Sequence, residues 1–305
     1  MQNRVTFGRQ ITNRDKFKKK YAAYGYVLPA ILILVMLLLY PIIRVIGYSF
    51  FDNVLVVKES TFVGLKTYVE LFQDEKFINS SWNTLVFTLF SVIFHVILGL
   101  TFAQLLNRKM NRIALSFFRT IFILPWIFTA AVVAVNWQLI LSPLGIVNYI
   151  LKNIHIISAN IEWFGDPKIA MVSLIIVNIW RGYPFMMISL LAGLQSIPSS
   201  LNEAANVDGA NAFQRFIHIT IPQLKPILIS VGLLDIIFTL RLFPLIWLTT
   251  GGGPVGATET MATYLYKLAF YEYEYSKASA LAVIILLFTS VIAVFYGKHQ
   301  KSIDN

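Results

Sequence analysis

Six stretches of this chain stay apolar for long enough to cross a lipid bilayer, and nothing else in it limits the fold as strongly. A bilayer core about 30 Å thick needs roughly 20 apolar residues of helix. The stretches lie at 24–48, 82–106, 117–141, 169–191, 226–249 and 278–296 of the 305 residues. Hydrophobic residues make up 57% of the chain and charged residues 13%. A soluble domain is about half apolar and a quarter charged. The excess is more than one soluble core can hold, so lipid is the expected solvent. The reading is an all-α integral membrane protein with about six transmembrane helices. It divides into a basic segment 1–23, a membrane domain 24–297 and a tail 298–305. The first apolar stretch follows basic residues, as a signal peptide would. It is longer than a secretory h-region, runs past Pro41 towards Phe50 and has no small-residue cleavage pattern close behind it. It therefore reads as a retained span.

The net charge of +10 follows the spans. Basic residues cluster beside the apolar runs, and no soluble basic domain exists that would bind nucleic acid. Lys and Arg mark cytoplasmic flanks. One side of the predicted membrane carries Arg4, Arg9, Arg14, Lys16, Lys18, Lys19 and Lys20, then Arg108, Lys109, Arg112 and Arg119, then Arg215 and Lys225, then Lys298 and Lys301. The other side carries Asp52, Glu59, Glu70, Asp74 and Glu75, then Glu162 and Asp166, then Glu259, Glu272 and Glu274, offset by scattered lysines such as Lys58. Both termini are thus expected in the cytoplasm of a multi-pass protein of the cell membrane. Tyr24, Tyr26, Trp82, Trp137 and Tyr296 lie near span ends, as an interfacial aromatic belt would. The chain has no cysteine, which removes disulfides and thiolate metal sites.

The connection at 196–222 differs from every other loop. Pro198 suits a helix start, and Glu203, Ala204 and Ala205 are good helix formers. Gly209 suits a break with positive φ. Phe213, Phe216 and Ile217 then share one face of a second short helix, which Pro222 is expected to end. Asn202, Glu203, Asn206 and Asp208 form a polar edge. Each helix is too short to span a bilayer. From the residues alone, the segment is either a docking element for a groove on another protein or an ordinary amphipathic connector.

The segment closely resembles the EAA loop of binding-protein-dependent ABC importer permeases. That pattern has Glu-Ala-Ala, three residues, Gly, nine residues, then Ile-x-Leu-Pro. Here it stands as Glu203-Ala204-Ala205, Gly209 and Ile219-Thr220-Ile221-Pro222, with the spacing kept and Ile221 in place of leucine. The run 191–198 and the run 248–254 are similar to the carbohydrate branch, and the latter to its maltose- or glycerol-phosphate-type subunit. The resemblance extends from Tyr24 to Tyr296. It implies a cytoplasmic helix-turn-helix that couples to an ATPase through Glu203, Ala204, Ala205, Asp208, Gly209, Ile219 and Pro222. It further implies a second, homologous permease subunit, two cytoplasmic ATPase subunits that bind ATP and Mg, and an extracytoplasmic solute-binding protein. The solute would be a sugar, an oligosaccharide or a related polyol.

The chain itself lacks a phosphate-binding loop: its one Gly-Lys pair, Gly297-Lys298, has no glycine frame. No His-Glu-x-x-His run and no Gly-x-Ser-x-Gly elbow occurs, so no catalytic residue and no metal site is expected. His95 reads as a satisfied bundle residue. The intramembrane charges Arg181, Asp235 and Arg241 are costly at about 3 kcal/mol each on insertion scales, so they must face a partner or a wet cavity. The sequence admits an Arg181–Asp235 ion pair that is purely structural, or a role for Arg181 or Arg241 in the translocation path. Trp180, Tyr183, Phe243 and Trp247 are further candidates for that path, because sugars present flat apolar faces. Two other classes stay open on sequence: an ion-driven transporter using Arg181 and Asp235, and a membrane enzyme, for which no nucleophile or acid pair is visible.

Overall fold

A computed structural model describes residues 24, 26–52, 54, 60–108 and 110–304. The basic segment 1–23, with Lys58, Glu59 and Lys109, lies outside the described residues. Helix α1 (Tyr26–Tyr48) is apolar up to Arg44, near its end, and widens into a π turn at Val35–Leu39, just ahead of Pro41. A two-stranded antiparallel ladder, β1 (Phe51–Asp52) with β2 (Thr61–Phe62), leads into the short helix α2 (Lys66–Gln73). Helix α3 (Glu75–Leu106) starts at Asp74, whose carboxylate accepts the Lys76 N–H at 2.8 Å. Then follow α4 (Arg112–Ile127), α5 (Ala130–Ile140) and α6 (Ile146–Asn153). Helix α7 (Ala170–Ser196) runs the depth of the bundle, and α8 (Ser199–Val207) lies in the loop beyond it. The chain continues through α9 (Ala212–Leu240), α10 (Pro244–Thr249), α11 (Met261–Phe270) and α12 (Tyr275–Asp304).

Five of these helices (α1, α3, α7, α9 and α12) are long and apolar enough to cross a membrane, and six spans result if the bent α4–α5 pair counts as one. Their outward faces expose leucine, isoleucine, valine and phenylalanine, as lipid-facing helices do. The α3–α7 crossing is the most extensive helix pair, and α9 packs beside both. Leu106, Met186, Met187, Leu190 and Leu224 are fully enclosed between these three helices. A second core joins α2, α11 and α12 through Leu71, Tyr264, Leu268 and Leu281. It lies at the end of the bundle opposite the 196–222 loop.

Three expectations need correction. The stretch 117–141 is not one helix: α4 and α5 meet at 97°. Pro125 deprives the Ile121 carbonyl of its donor, Phe128 is extended, and Thr129 caps a new helix by accepting the Val132 N–H at 3.4 Å. Pro222 does not end the second loop helix. The backbone takes a π turn at Phe216–Thr220, which accommodates a residue without an N–H, and the helix then runs on through Pro222 and Pro226 to Leu240. The stretch 226–249 is therefore not one span either. It breaks at Arg241, and Pro244, which has no N–H to donate, opens α10 at its first turn.

The connection 251–261 is held to α3 by direct hydrogen bonds. The Asn83 amide donates to the Gly256 and Glu259 carbonyls, both at 3.0 Å, and Asn79 donates to Gly256 at 2.9 Å. The Met261 N–H donates to the Thr84 hydroxyl at 2.9 Å. Lys267 pairs with Glu259 at 2.6 Å. The enclosed Tyr264 hydroxyl donates to Asp74, and burial, then that carboxylate, pushes the phenol well above its ordinary range. Replacing Asn83 by alanine strands the Glu259 carbonyl and leaves Gly256 to its remaining donors, and such a loss costs about 1–3 kcal/mol. The melting temperature of the detergent-solubilised chain should fall by several degrees. Asn136→Ala, which removes only a bond within its own exposed turn, should leave it in place.

Candidate functional site

Two helices present the same spacing to a common space. Asn178, Arg181, Gly182 and Phe185 recur at i, i+3, i+4 and i+7 on α7, and Asp235, Phe238, Thr239 and Leu242 repeat that interval along α9 and just past its end. With His95 of α3 and Trp126 of α4 they enclose a cavity of about 420 Å³. One wall is aromatic. Trp126 stacks on Phe185 with ring centroids 6.1 Å apart, and Phe185 meets Phe238 edge-on at 6.2 Å.

The other wall is polar and organised by His95, which is 1% exposed. Its Nδ1 lies 2.7 Å from Asp235 Oδ2 on α9, and its Nε2–H donates to the Asn178 carbonyl on α7 at 3.0 Å. One imidazole therefore joins three helices. Gly182 makes this possible, because a Cβ there would stand 2.3 Å from the ring. Arg181 has no ion pair among the described residues, and its Nε is buried without a hydrogen-bond partner, as is Asn178 Nδ2.

The residues proposed from sequence separate into distinct places. Arg181 and Asp235 both line the cavity, but the carboxylate offered to Arg181 is taken by His95. Arg241 lies beyond the end of α9 with its guanidinium 5.7 Å from the Phe238 ring. Trp180 turns away and meets Trp137 edge-on at 5.6 Å in the α5–α7 core. Tyr183 is buried against Phe102, with centroids 5.1 Å apart. Phe243 and Trp247 stack at 5.5 Å and continue into Tyr266 at 5.0 and 4.6 Å, forming a separate aromatic nest with Phe270 and Tyr271. Sequence reasoning missed Trp126, Phe185 and Phe238. The shared i, i+3, i+4, i+7 interval around Arg181 and Asp235 would have found the two phenylalanines.

The 196–222 loop forms its own unit. Pro198 is the N-cap of α8, and Gly209 sits at φ +79° after its last turn. The Ala210 N–H donates to the Ala205 carbonyl at 2.9 Å and closes the helix. Asn211 and Gln214 exchange side-chain and backbone bonds at 2.8 and 2.9 Å in a capping box that starts α9. Arg215 reaches back to the Ala210 carbonyl at 3.0 Å and to the Asn206 side chain, bracing the turn. Glu203, Ala204 and Asp208 face outward, Ala205 and Ile219 are half-buried, and Pro222 is exposed. Val207 and Phe213 project from the same loop at 89% and 69% exposure.

A bundle of membrane-spanning helices around a half-polar internal cavity, with a braced helix-turn-helix at one end, defines a membrane permease. The comparisons agree. Residues 95–305 match the family model of the binding-protein-dependent transport system inner membrane component. The trehalose/maltose transport system permease protein MalF of Thermococcus litoralis is 34% identical, over 94% of this chain and 96% of that protein. A solved bacterial ABC transporter involved in the import of the acidic polysaccharide alginate superposes with a TM-score of 0.82 at 26% identity, covering 95% of this chain and 98% of that one. A second structure, of an alginate transporter in complex with an alginate pentasaccharide-bound periplasmic protein, gives 0.81 at 26%, covering 94% and 96%. The chain belongs to the family of binding-protein-dependent transport system inner membrane components. It is a permease of the ABC importer class, a transport protein and not an enzyme, and the ATPase of such importers is a separate subunit.

The His95–Asp235 pair is the most exacting contact of the cavity. His95→Leu leaves Asp235 buried with its partner gone, a change that costs roughly 3–5 kcal/mol. The solubilised variant should melt well below the parent. The His95→Leu/Asp235→Leu double variant should recover most of the loss, since an apolar pair can replace a buried ionic one. Equal melting of parent and single variant would contradict the assignment.

Proposed function

We propose that this chain forms half of the translocation path of an ATP-driven importer for a sugar, an oligosaccharide or a related polyol. The observation that carries the reading is the cavity itself, with hydrogen-bonding groups on one wall and Trp126, Phe185 and Phe238 on the other. Sugars need both surfaces: donors and acceptors for hydroxyls, and rings for their apolar faces. The relatives' solutes, trehalose/maltose and alginate, are of the same class. Arg181 and Asp235 belong to the path in this reading. Arg241 flanks it, while Phe243 and Trp247 with Tyr266 form an aromatic platform away from it. Trp180 and Tyr183 serve packing.

The 196–222 loop is the coupling element. Glu203, Ala204, Ala205 and Asp208, with the projecting Val207 and Phe213, enter a cleft on the ATPase subunit, which binds ATP and Mg. Gly209 holds the bend, and Ile219 and Pro222 join it to α9. Because α9 runs without interruption from the loop to the cavity, a push on the loop reaches Asp235 and Thr239 through one helix. ATP binding draws the two ATPases together and turns the cavity outward, where the binding protein delivers solute; hydrolysis returns it inward. A second, homologous permease completes the path. Both termini and the loop lie in the cytoplasm. Accumulation that depends on ATP, and not on membrane potential, separates this reading from an ion-driven transporter.

Gly209→Val tests the coupling. A β-branched residue at φ +79° is strained, at about 1–3 kcal/mol. That strain should be spent on the turn, since no atom crowds the added side chain at its Cβ. The complex should still assemble, with solute uptake down by about tenfold or more. Normal uptake by the assembled variant would rule out a coupling role for this turn.

A further inference from the structure

Three ionisable side chains line the cavity: His95, Asp235 and Arg181. Two of them cancel. His95 Nε2 faces the Asn178 carbonyl oxygen, which only accepts, so that nitrogen carries a proton. His95 Nδ1 lies 2.7 Å from Asp235 Oδ2, and so short a contact requires a proton between them. The proton belongs either to an imidazolium facing a carboxylate or to a carboxyl facing a neutral imidazole. Both arrangements leave the pair with zero net charge. Adding a proton makes it positive, and no arrangement that keeps these two bonds makes it negative.

Arg181 has no such partner. A guanidinium keeps its proton inside proteins. Among the described residues, no Asp or Glu besides Asp235 lines the cavity, and that carboxylate is engaged by His95. Arg181 Nε is buried with no hydrogen-bond partner. Arg241 adds a second positive charge next to Phe238, a cavity residue. The cavity is therefore cationic, and it holds unmatched donors on Arg181 and Asn178. A half-buried charge inside a membrane protein, with no counter-charge of its own, persists where a ligand, a partner or water faces it.

We propose that the solute carried through this cavity bears an anionic group, a carboxylate, phosphate or sulfonate on a sugar or polyol, and that Arg181 is its counter-charge. The proposal rests on reading the cavity as the solute path. The planar guanidinium fork matches two oxygens of such a group. The Thr239 hydroxyl is placed for a sugar hydroxyl, and the Phe185 and Phe238 rings for an apolar sugar face. Arg181 then selects for charge, while the aromatic wall accepts many sugars.

The test uses the assembled importer, with its own ATPase and binding protein, in liposomes loaded with ATP. Uptake is measured for digalacturonate, glycerol 3-phosphate and sulfoquinovose, and for the neutral probes maltotriose, glycerol and glucose. At least one charged probe should enter about tenfold faster than its neutral counterpart, with the arms telling carboxylate, phosphate and sulfonate apart. Arg181→Gln should remove that advantage in a complex that still elutes intact on gel filtration, and Arg181→Lys should keep part of it. Uptake confined to neutral probes, no uptake of any charged probe, or undiminished charged uptake by Arg181→Gln overturns the proposal. The last result would mean that a carboxylate of the second permease neutralises the arginine. Thr239→Trp, which fills the cavity, separates the two levels. If it stops the uptake of a neutral probe, the path stands and only the anion falls. If it leaves all uptake unchanged, the path reading falls as well.

Discussion

The hydrocarbon core of a bilayer contains nothing that can pair with a backbone N–H or C=O, so a segment crossing it must satisfy those groups within itself. This constraint sets the lengths of α1, α3, α7, α9 and α12. It also explains how the chain treats its prolines. Pro222 and Pro226 lie inside α9 where an ordinary helix would lose bonds, and the π turn at Phe216–Thr220 precedes them. The Pro226 carbonyl also lies 3.1 Å from His299 Nε2, which ties this part of α9 to α12. The result is a single continuous helix from the loop to the cavity.

The same constraint makes the polar wall costly. His95, Asp235 and Asn178 are buried where α3, α7 and α9 meet, and there an unpaired group is heavily penalised. Their mutual bonds remove that penalty for all of them except the Asn178 amide and Arg181. A fully satisfied network would be only a structural pin. The Asn178 amide and the Arg181 Nε are left over, beside a cavity with an aromatic wall.

Much of the fold was legible because lipid imposes a strict length rule, and four of the six apolar runs each fall on one long helix. The two runs that misled contain breaks invisible to hydropathy. Thr129 looks like any apolar-segment threonine until its hydroxyl caps α5, and Arg241–Phe243 is apolar enough to pass as span. The 196–222 segment was readable because short-range rules govern it: Gly209 takes positive φ, and Asn211 and Gln214 form a capping box. The cavity was only half readable. Arg181 and Asp235 stand out as charges in apolar runs, but their partners come from other helices. His95 lies 140 residues from Asp235 in the chain. Trp180, Tyr183, Phe243 and Trp247 have the same composition signal as Phe185 and Phe238, and only helix rotation separates packing rings from lining rings.

The most direct test of a switching path is accessibility of its centre. The chain has no cysteine, so Thr239→Cys introduces a single thiol into the cavity. The assembled importer, in sealed vesicles of known orientation, is treated with a membrane-impermeant maleimide from either side. The account predicts labelling from the cytoplasmic side at rest, and from the opposite side when ATP and vanadate trap the closed ATPase dimer. Labelling from one side only, indifferent to nucleotide, would contradict it.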